Sequence, residues 1–337
     1  MARAVTRVPQ FPTLGAASSA AAVLAFLTVS GVACGGRPFA EGGSRELTIV
    51  TRLPADSPEV LFLRAVVERV AIRIESEPAY EVHFADASDP RAYRARTILF
   101  VGYGPLDRIP APLAGLRTLL PASREPFVFS PDVWLRGQAV GILWSENRED
   151  LMPALQRHQN RLFEVLDRAT FGTVRARLLA LPHDSEAERR LRKVAGYGLR
   201  VPRGYDLRID PATRAALLVD EGPPTRLLRV MPTPAHPEAD PVRTRNMLAR
   251  TFRPNERTLN LIEPTLTPNE LAGATREIHG RWEDADVSAA GPFRFYEVVR
   301  RGRHFYVDLA VFAPGRPKLP YLRELMSIAE TLDPVSE

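Results

Sequence analysis

The chain has 337 residues, 45% of them hydrophobic and 25% charged, with a formal charge of +5. That balance excludes a disordered chain and allows one large or two ordinary globular domains. Removing Arg3 and Arg7 with a targeting segment leaves +3. This is a mild excess without a clustered basic stripe, so no nucleic-acid partner is expected.

The first element is a targeting segment. Arg3 and Arg7 form a short basic region, no residue from Leu14 to Ala33 is charged, and small residues then lead to Cys34. This is the layout of a secretory signal peptide over residues 1–33. "GVAC", ending at Cys34, resembles the lipobox of bacterial lipoproteins, with Gly31 where leucine is usual. The expectation is cleavage before Cys34 and attachment of palmitate-type acyl chains, each buried methylene adding about 0.8 kcal/mol to the membrane anchor. Two alternatives stay open. Ordinary signal peptidase could cut after Ala33, or the uncharged stretch of about 20 residues could remain as a single span. Gly35, where an aspartate could stand, resembles lipoproteins sent to the outer membrane, facing the periplasm. Cys34 is the only cysteine, which excludes an intrachain disulfide. Residues 34–45, rich in glycine, read as a flexible tether.

"ELTIV" (46–50) predicts a strand. A helix follows, with Ser57 as cap and Pro58 in the first turn. Leu63, Val66, Val67, Val70, Ala71 and Ile74 continue its apolar stripe at three- and four-residue steps. "RTILFVGYG" is a buried strand ending in glycines. "PFVFSPDVWLRGQAVGILW" reads as two strands turning near Gly137. Asn147 opens a long helix to about Ala169, with a kink expected at Thr170–Gly172. Ser185 and Glu188 form a capping box for the next helix, which Gly196 stops. "YGLRVPRGYDLRI" and "TRLLRVMP" are strands, and Asp240 with Pro241 opens another helix. A hairpin, "PFRFYEVVRRGRHFYVDLAVF", precedes a last helix from about Pro320 to Leu332.

Both halves contain Pro-Phe-x-Phe, a turn glycine (Gly137, Gly302) and a helix after the hairpin. An old duplication explains this, as does the general similarity of hairpin-helix units. The expected class is α+β: two similar sheet-plus-helix units, 46–183 and 184–337, with largely antiparallel sheets and helices packed on one face.

The stretch "EIHGRWE" concentrates chemistry. With period two, Glu277, His279, Arg281 and Glu283 share one face of a strand, and Ile278, Gly280 and Trp282 the other. The four polar residues form the candidate functional surface. The alternation itself predicts a half-buried strand with Trp282 in the core and solvent-side pairs contributing about 0–1 kcal/mol each. A catalytic carboxylate pair is the sharper reading. However, six positions of strand span about 20 Å, against the roughly 5–9.5 Å that glycoside hydrolysis requires. No catalytic residue is therefore assigned. The six histidines lack metal-ligand spacing, and no Gly-x-Ser-x-Gly elbow exists, so neither a metal nor a cofactor is expected. "GYG" at Gly102 reads as a turn. The basic run Arg189, Arg190, Arg192 and Lys193 reads as a solvated helix face, with anionic headgroups as a second reading.

"EIHGRWE", "AAGPF" and "VFAPGRPKLPYLRELMSIAETL" together resemble the C-terminal signature of an uncharacterised bacterial lipoprotein family, domain of unknown function 4837. His279, Arg281 and Ala290 depart from its pattern. "LPASREPFVF" (120–129) and "RVPRGYDL" (200–207) are similar to its earlier blocks, so the likeness spans most of the mature chain. The resemblance implies an envelope lipoprotein and offers no catalytic residue to carry over. The expected function is a lipid-anchored, non-catalytic binding or structural protein of the cell envelope, with an envelope protein or glycan as partner. The alternative is a hydrolase acting on an envelope polymer such as a glycan.

Overall fold

The computed structural model describes residues 37–72, 76–120, 125–233, 240–262 and 271–335. The targeting segment and Cys34 lie outside the described residues. The first half contains β1 (Glu46–Thr51), α1 (Pro58–Val67), β2 (Val70–Ile72), β3 (Glu77–Pro78), β4 (Glu81–Ala85), β5 (Thr97–Tyr103), α2 (Ala114–Arg117), β6 (Phe127–Pro131), β7 (Ala139–Ser145) and α3 (Arg148–Ala180). The second contains α4 (Ser185–Ala195), β8 (Tyr197–Gly198), β9 (Asp206–Asp210), β10 (Ala215–Asp220), β11 (Thr225–Thr233), α5 (Pro241–Arg250), β12 (Glu256–Ile262), β13 (Ala274–Asp284), β14 (Ala289–Arg300), β15 (Arg303–Phe312), α6 (Leu319–Ala329) and β16 (Asp333–Pro334). The chain is an α+β protein, and most of its strand pairs are antiparallel.

The two sheets nevertheless differ. The first has the order β4-β1-β5-β7-β6. β1 runs parallel to β4 and β5, and β5 parallel to β7, leaving only the β6–β7 pair antiparallel. The expectation of an antiparallel sheet fails here for a physical reason. β5 and β7 are buried along almost their whole length, because α1 and α3 cover one face while Tyr93, Ile109, Leu113 and Leu116 cover the other. A parallel sheet needs cover on both faces, and this one has it.

The second sheet is antiparallel throughout, with order β12-β13-β14-β15-β11-β10-β9. Its helices are not confined to one face as expected. Tyr296, Val298, Phe305 and Val307 share a cluster with residues of α4 and α6, whereas Trp282, Phe293, Phe295 and Tyr306 cluster with Leu248 of α5. The central strands are apolar on both sides, so both sides need cover. The hairpin-helix likeness holds locally, as β6–β7 leads into α3 and β14–β15 into α6, but the surrounding sheets are built differently.

One core cluster runs from β1, β5, α1 and α3 through α4 and α6 to β11 and β15. Polar contacts tie the same elements. Arg323 of α6 pairs with Asp167 of α3 and donates to the Ser44 carbonyl at 2.9 Å. Tyr80 donates to the same Asp167 at 3.2 Å and lies beside Thr170. Glu77 accepts the backbone N–H groups of Lys318 and Leu319 at 2.7 and 3.0 Å, so a residue of the first half caps the last helix.

Several boundaries differ from the sequence expectation. α1 ends at Val67, and Val70–Ile72 pairs as β2 with β3, the β-branched Val70 and Ile72 favouring a strand over another helical turn. α3 continues without a break for 33 residues, because Thr170 and Thr173 lie buried and hydrogen-bonded within it. The cap of α4 is Asp184, which accepts from Glu186 and Ala187 at 3.0 Å each, while Glu188 instead accepts from Val201. The described part of the tether, 37–45, is docked. Ala40, Ser44 and Arg45 are buried, and Ala40 and Glu41 hydrogen-bond to Arg136 and Arg94 backbone carbonyls. Asp240 and Pro241 open α5 as the sequence predicts, and Gly196 stops α4 with φ +76°.

Candidate functional site

β13 carries the four polar residues singled out in the sequence. The structure places Trp282 and Phe293 in the core and divides the polar face. Arg281 is exposed and Glu283 is half-buried, accepting from Arg257 at 2.6 Å. Glu277 and His279 instead turn beneath α6. They contact each other beside their cross-strand neighbours Tyr296 and Arg294, and Arg294 in turn meets the Met326 sulfur at 3.5 Å. Burial pushes the Glu277 carboxyl up, but His279 and Arg294 outweigh it and hold the group below its ordinary range. Burial also lowers the His279 ring, Arg294 adds to this, and Glu277 only partly opposes it. The four residues thus form no common site: two are solvent-facing and two belong to a packed polar cluster. Glu277 and Glu283 lie on one unbroken strand, so the distance argument against their joint action stands.

A second group sits on the opposite face. Arg229, Arg245, Glu256 and Asp308 are fully buried and form a closed square of ion pairs in which each guanidinium meets both carboxylates. Arg245 also lies over the Phe293 ring at 4.5 Å. Equal numbers of each charge and mutual hydrogen bonds make the burial tolerable, which is a structural role. The sequence could not show this square, since its corners come from β11, α5, β12 and β15.

A cavity open to a ligand lies elsewhere. From β1 the chain crosses to β4 on one side and then passes to β5 on the other. Such a reversal opens a crevice at the carboxyl ends of parallel strands, the usual ligand position in open α/β sheets. A cavity of about 210 Å³ lies there. Thr51, Arg52 and Leu53 follow from β1, Phe100 to Tyr103 from β5, and Trp144 from β7; Ala87, Arg108 and Pro110 complete the rim. Phe100 and Leu53 are buried, whereas Arg52, Tyr103 and Arg108 are exposed.

Local chemistry builds this wall. Trp144 is the register partner of Gly102, and a Cβ on Gly102 would stand 2.3 Å from its ring, so only glycine lets the indole lie there. Gly104 has φ +113°, a conformation that glycine alone adopts readily. Its N–H donates to the Ser145 carbonyl at 2.9 Å, and its carbonyl accepts the Trp144 indole N–H at 2.8 Å. The Arg108 side chain packs over the same glycine. Of "GYG", expected as a turn, Gly102 and Tyr103 are instead the last residues of β5 and only Gly104 bends beyond it; the stretch fixes Trp144 and Arg108 on one wall. Arg52, Tyr103, Arg108 and Trp144 are not among the residues that the sequence singles out as a site. The available signal was the unbroken apolar runs "TILFV" and "AVGIL", which mark strands covered on both faces, a condition parallel sheets require but that does not itself fix strand direction.

The molecule is therefore an α+β protein with a switch-point crevice on a mainly parallel sheet and a seven-stranded antiparallel sheet behind it. Residues 247–331, from α5 through α6, match the family described as Domain of unknown function (DUF4837). The blocks at 120–129 and 200–207 lie outside the matched stretch. No curated protein matches the chain. Among solved structures, one from Bacteroides thetaiotaomicron is similar at 9% identity and TM-score 0.24, over 42% of this chain and 46% of that one. The chain thus spans less than half the length of that protein. Another, LpqN, described as involved in cell envelope biogenesis of Mycobacterium tuberculosis, is similar at 14% identity and TM-score 0.24, over 41% of this chain and 83% of that one. Among the described residues no helix is long and apolar enough to cross a membrane, and no group of three or more His, Cys, Asp or Glu could hold a metal.

Proposed function

We propose that this chain is an exported protein, held at the outer membrane and facing the periplasm by acyl chains on Cys34, which works by binding an envelope component. Its export and anchoring rest on the sequence: two arginines, an uncharged run from Leu14 to Ala33, and the only cysteine at its end. The observation that carries the binding role is the crevice at the ends of β1, β5 and β7. Its lining residues include aromatic rings, two hydroxyls (Thr51 and Tyr103) and two guanidiniums, with no carboxylate, histidine or serine among them. Rings and cations recognise and hold, whereas hydrolysis of a polymer needs a general acid and a base or nucleophile within reach.

The test is metabolic labelling with a fatty-acid analogue followed by membrane fractionation. The wild-type chain is expected to carry label and to sediment with outer membranes, and Cys34→Ala to appear unlabelled in the soluble fraction. A wild-type chain without label, or a Cys34→Ala chain that keeps both label and membrane association, contradicts the anchoring.

A further inference from the structure

We infer that the crevice at the ends of β1, β5 and β7 takes an acidic sugar, a saccharide ring bearing a carboxylate or phosphate. This rests on the binding role proposed above and names the ligand class for that site. The cavity of about 210 Å³ suits a single ring and its substituent better than a long polymer segment. One wall is the Trp144 ring, fixed by Gly102 beneath it and by the hydrogen bond to the Gly104 carbonyl. A fixed aromatic face offers a platform for the apolar face of a sugar or other flat ring. Tyr103, the next residue after Gly102 at the end of β5, is exposed at the same rim.

The rim supplies the charge. Arg52 and Arg108 both line the opening, and guanidinium forks match carboxylate and phosphate oxygens in pairs. Asp86 interacts electrostatically with Arg52, so that cation is partly balanced by the protein itself. Arg108 packs on Gly104, next to the Trp144 wall, and stands where the anionic substituent of a stacked ring would lie. No carboxylate lines the cavity to repel an anion.

Isothermal titration of the full chain in detergent, with glucuronate, glucose 6-phosphate, glucose and inorganic phosphate as probes, tests this. Glucuronate and glucose 6-phosphate are expected to bind about tenfold or more tightly than glucose or phosphate alone. Arg108→Gln is expected to weaken both acidic sugars about tenfold, with the melting temperature unchanged because the side chain is exposed. If glucose binds as well as glucuronate, or Arg108→Gln changes nothing, the acidic class is wrong while the binding role stands. If inorganic phosphate binds as well as glucose 6-phosphate, the ring contributes nothing and the inference falls. If no probe binds, the inference falls, and the binding role then depends on exchange protection by whole envelope glycans.

Discussion

Trp282 and Glu283 are adjacent, yet one has no solvent exposure and the other is half-buried on the far face of β13. Trp282→Ala should cost about 3–5 kcal/mol, the range for emptying a large buried aromatic site. Glu283→Gln should cost under about 1 kcal/mol, since its partner Arg257 is largely solvated. Urea melts of the two variants check this; equal losses would contradict the assignment of faces. His279 makes a pH prediction. Its folded value lies below the ordinary 6.5, so between these values the unfolded chain holds the extra proton. Stability rises with pH wherever the unfolded state binds more protons. The His279 contribution is therefore present above about pH 6.5 and is lost as pH falls from there toward the folded value. Glu277, also lowered, loses its contribution at more acidic pH, below its ordinary 4.5. Urea midpoints of His279→Gln between pH 5 and 8 should show a flatter dependence than wild type; an unchanged slope contradicts it. Period-two alternation made the strand and Trp282 legible. The covering of Glu277 and His279 was not, because it depends on α6, which arrives about 50 residues later in sequence.

At the scale of elements, local signals succeeded and long-range ones did not. The cap at Asp240 and the stop at Gly196 depend on neighbours within a turn, and both appear as expected. The pairing of β1 with β4 and β5 depends on residues over thirty positions away, and hydrophobic periodicity alone does not give strand direction. The strand β10, "AALLVD", went unread because a short apolar run without alternation fits a helix or a strand equally. The "AAGPF" motif has a physical explanation in the sheet. A Cβ on Gly291 would stand 1.9 Å from the Val311 carbonyl oxygen of β15, a backbone atom that cannot yield without opening the ladder. Gly291→Ala should therefore cost about 3 kcal/mol, at the upper end for overpacking. Gly302→Ala, with open space around its Cβ but φ +76°, should cost less, about 1 kcal/mol from backbone strain. Denaturation midpoints of the pair decide it, and a reversed order would contradict the close approach.

At the scale of the whole molecule, the two sheets share one apolar cluster and are bound by Arg323, Asp167 and Tyr80 across α3 and α6. Asp167→Asn leaves the Arg323 charge buried with its partner removed, which should cost about 3–5 kcal/mol. The loss should appear as one shifted transition, seen alike by tryptophan fluorescence and circular dichroism; two separated transitions would contradict the shared core. The candidate site was less legible than the fold, because "EIHGRWE" gathers its chemistry in one stretch, whereas the crevice draws Arg52, Tyr103, Arg108 and Trp144 from three separate strand ends and a turn. We propose that this crevice, and not the polar face of β13, is where the molecule binds. Hydrogen exchange of the full chain, with and without acidic fragments of envelope glycan, tests it most directly. Added protection is expected in residues 50–53, 100–108 and 144–145, with 274–284 unchanged. Protection confined to 274–284 would contradict it.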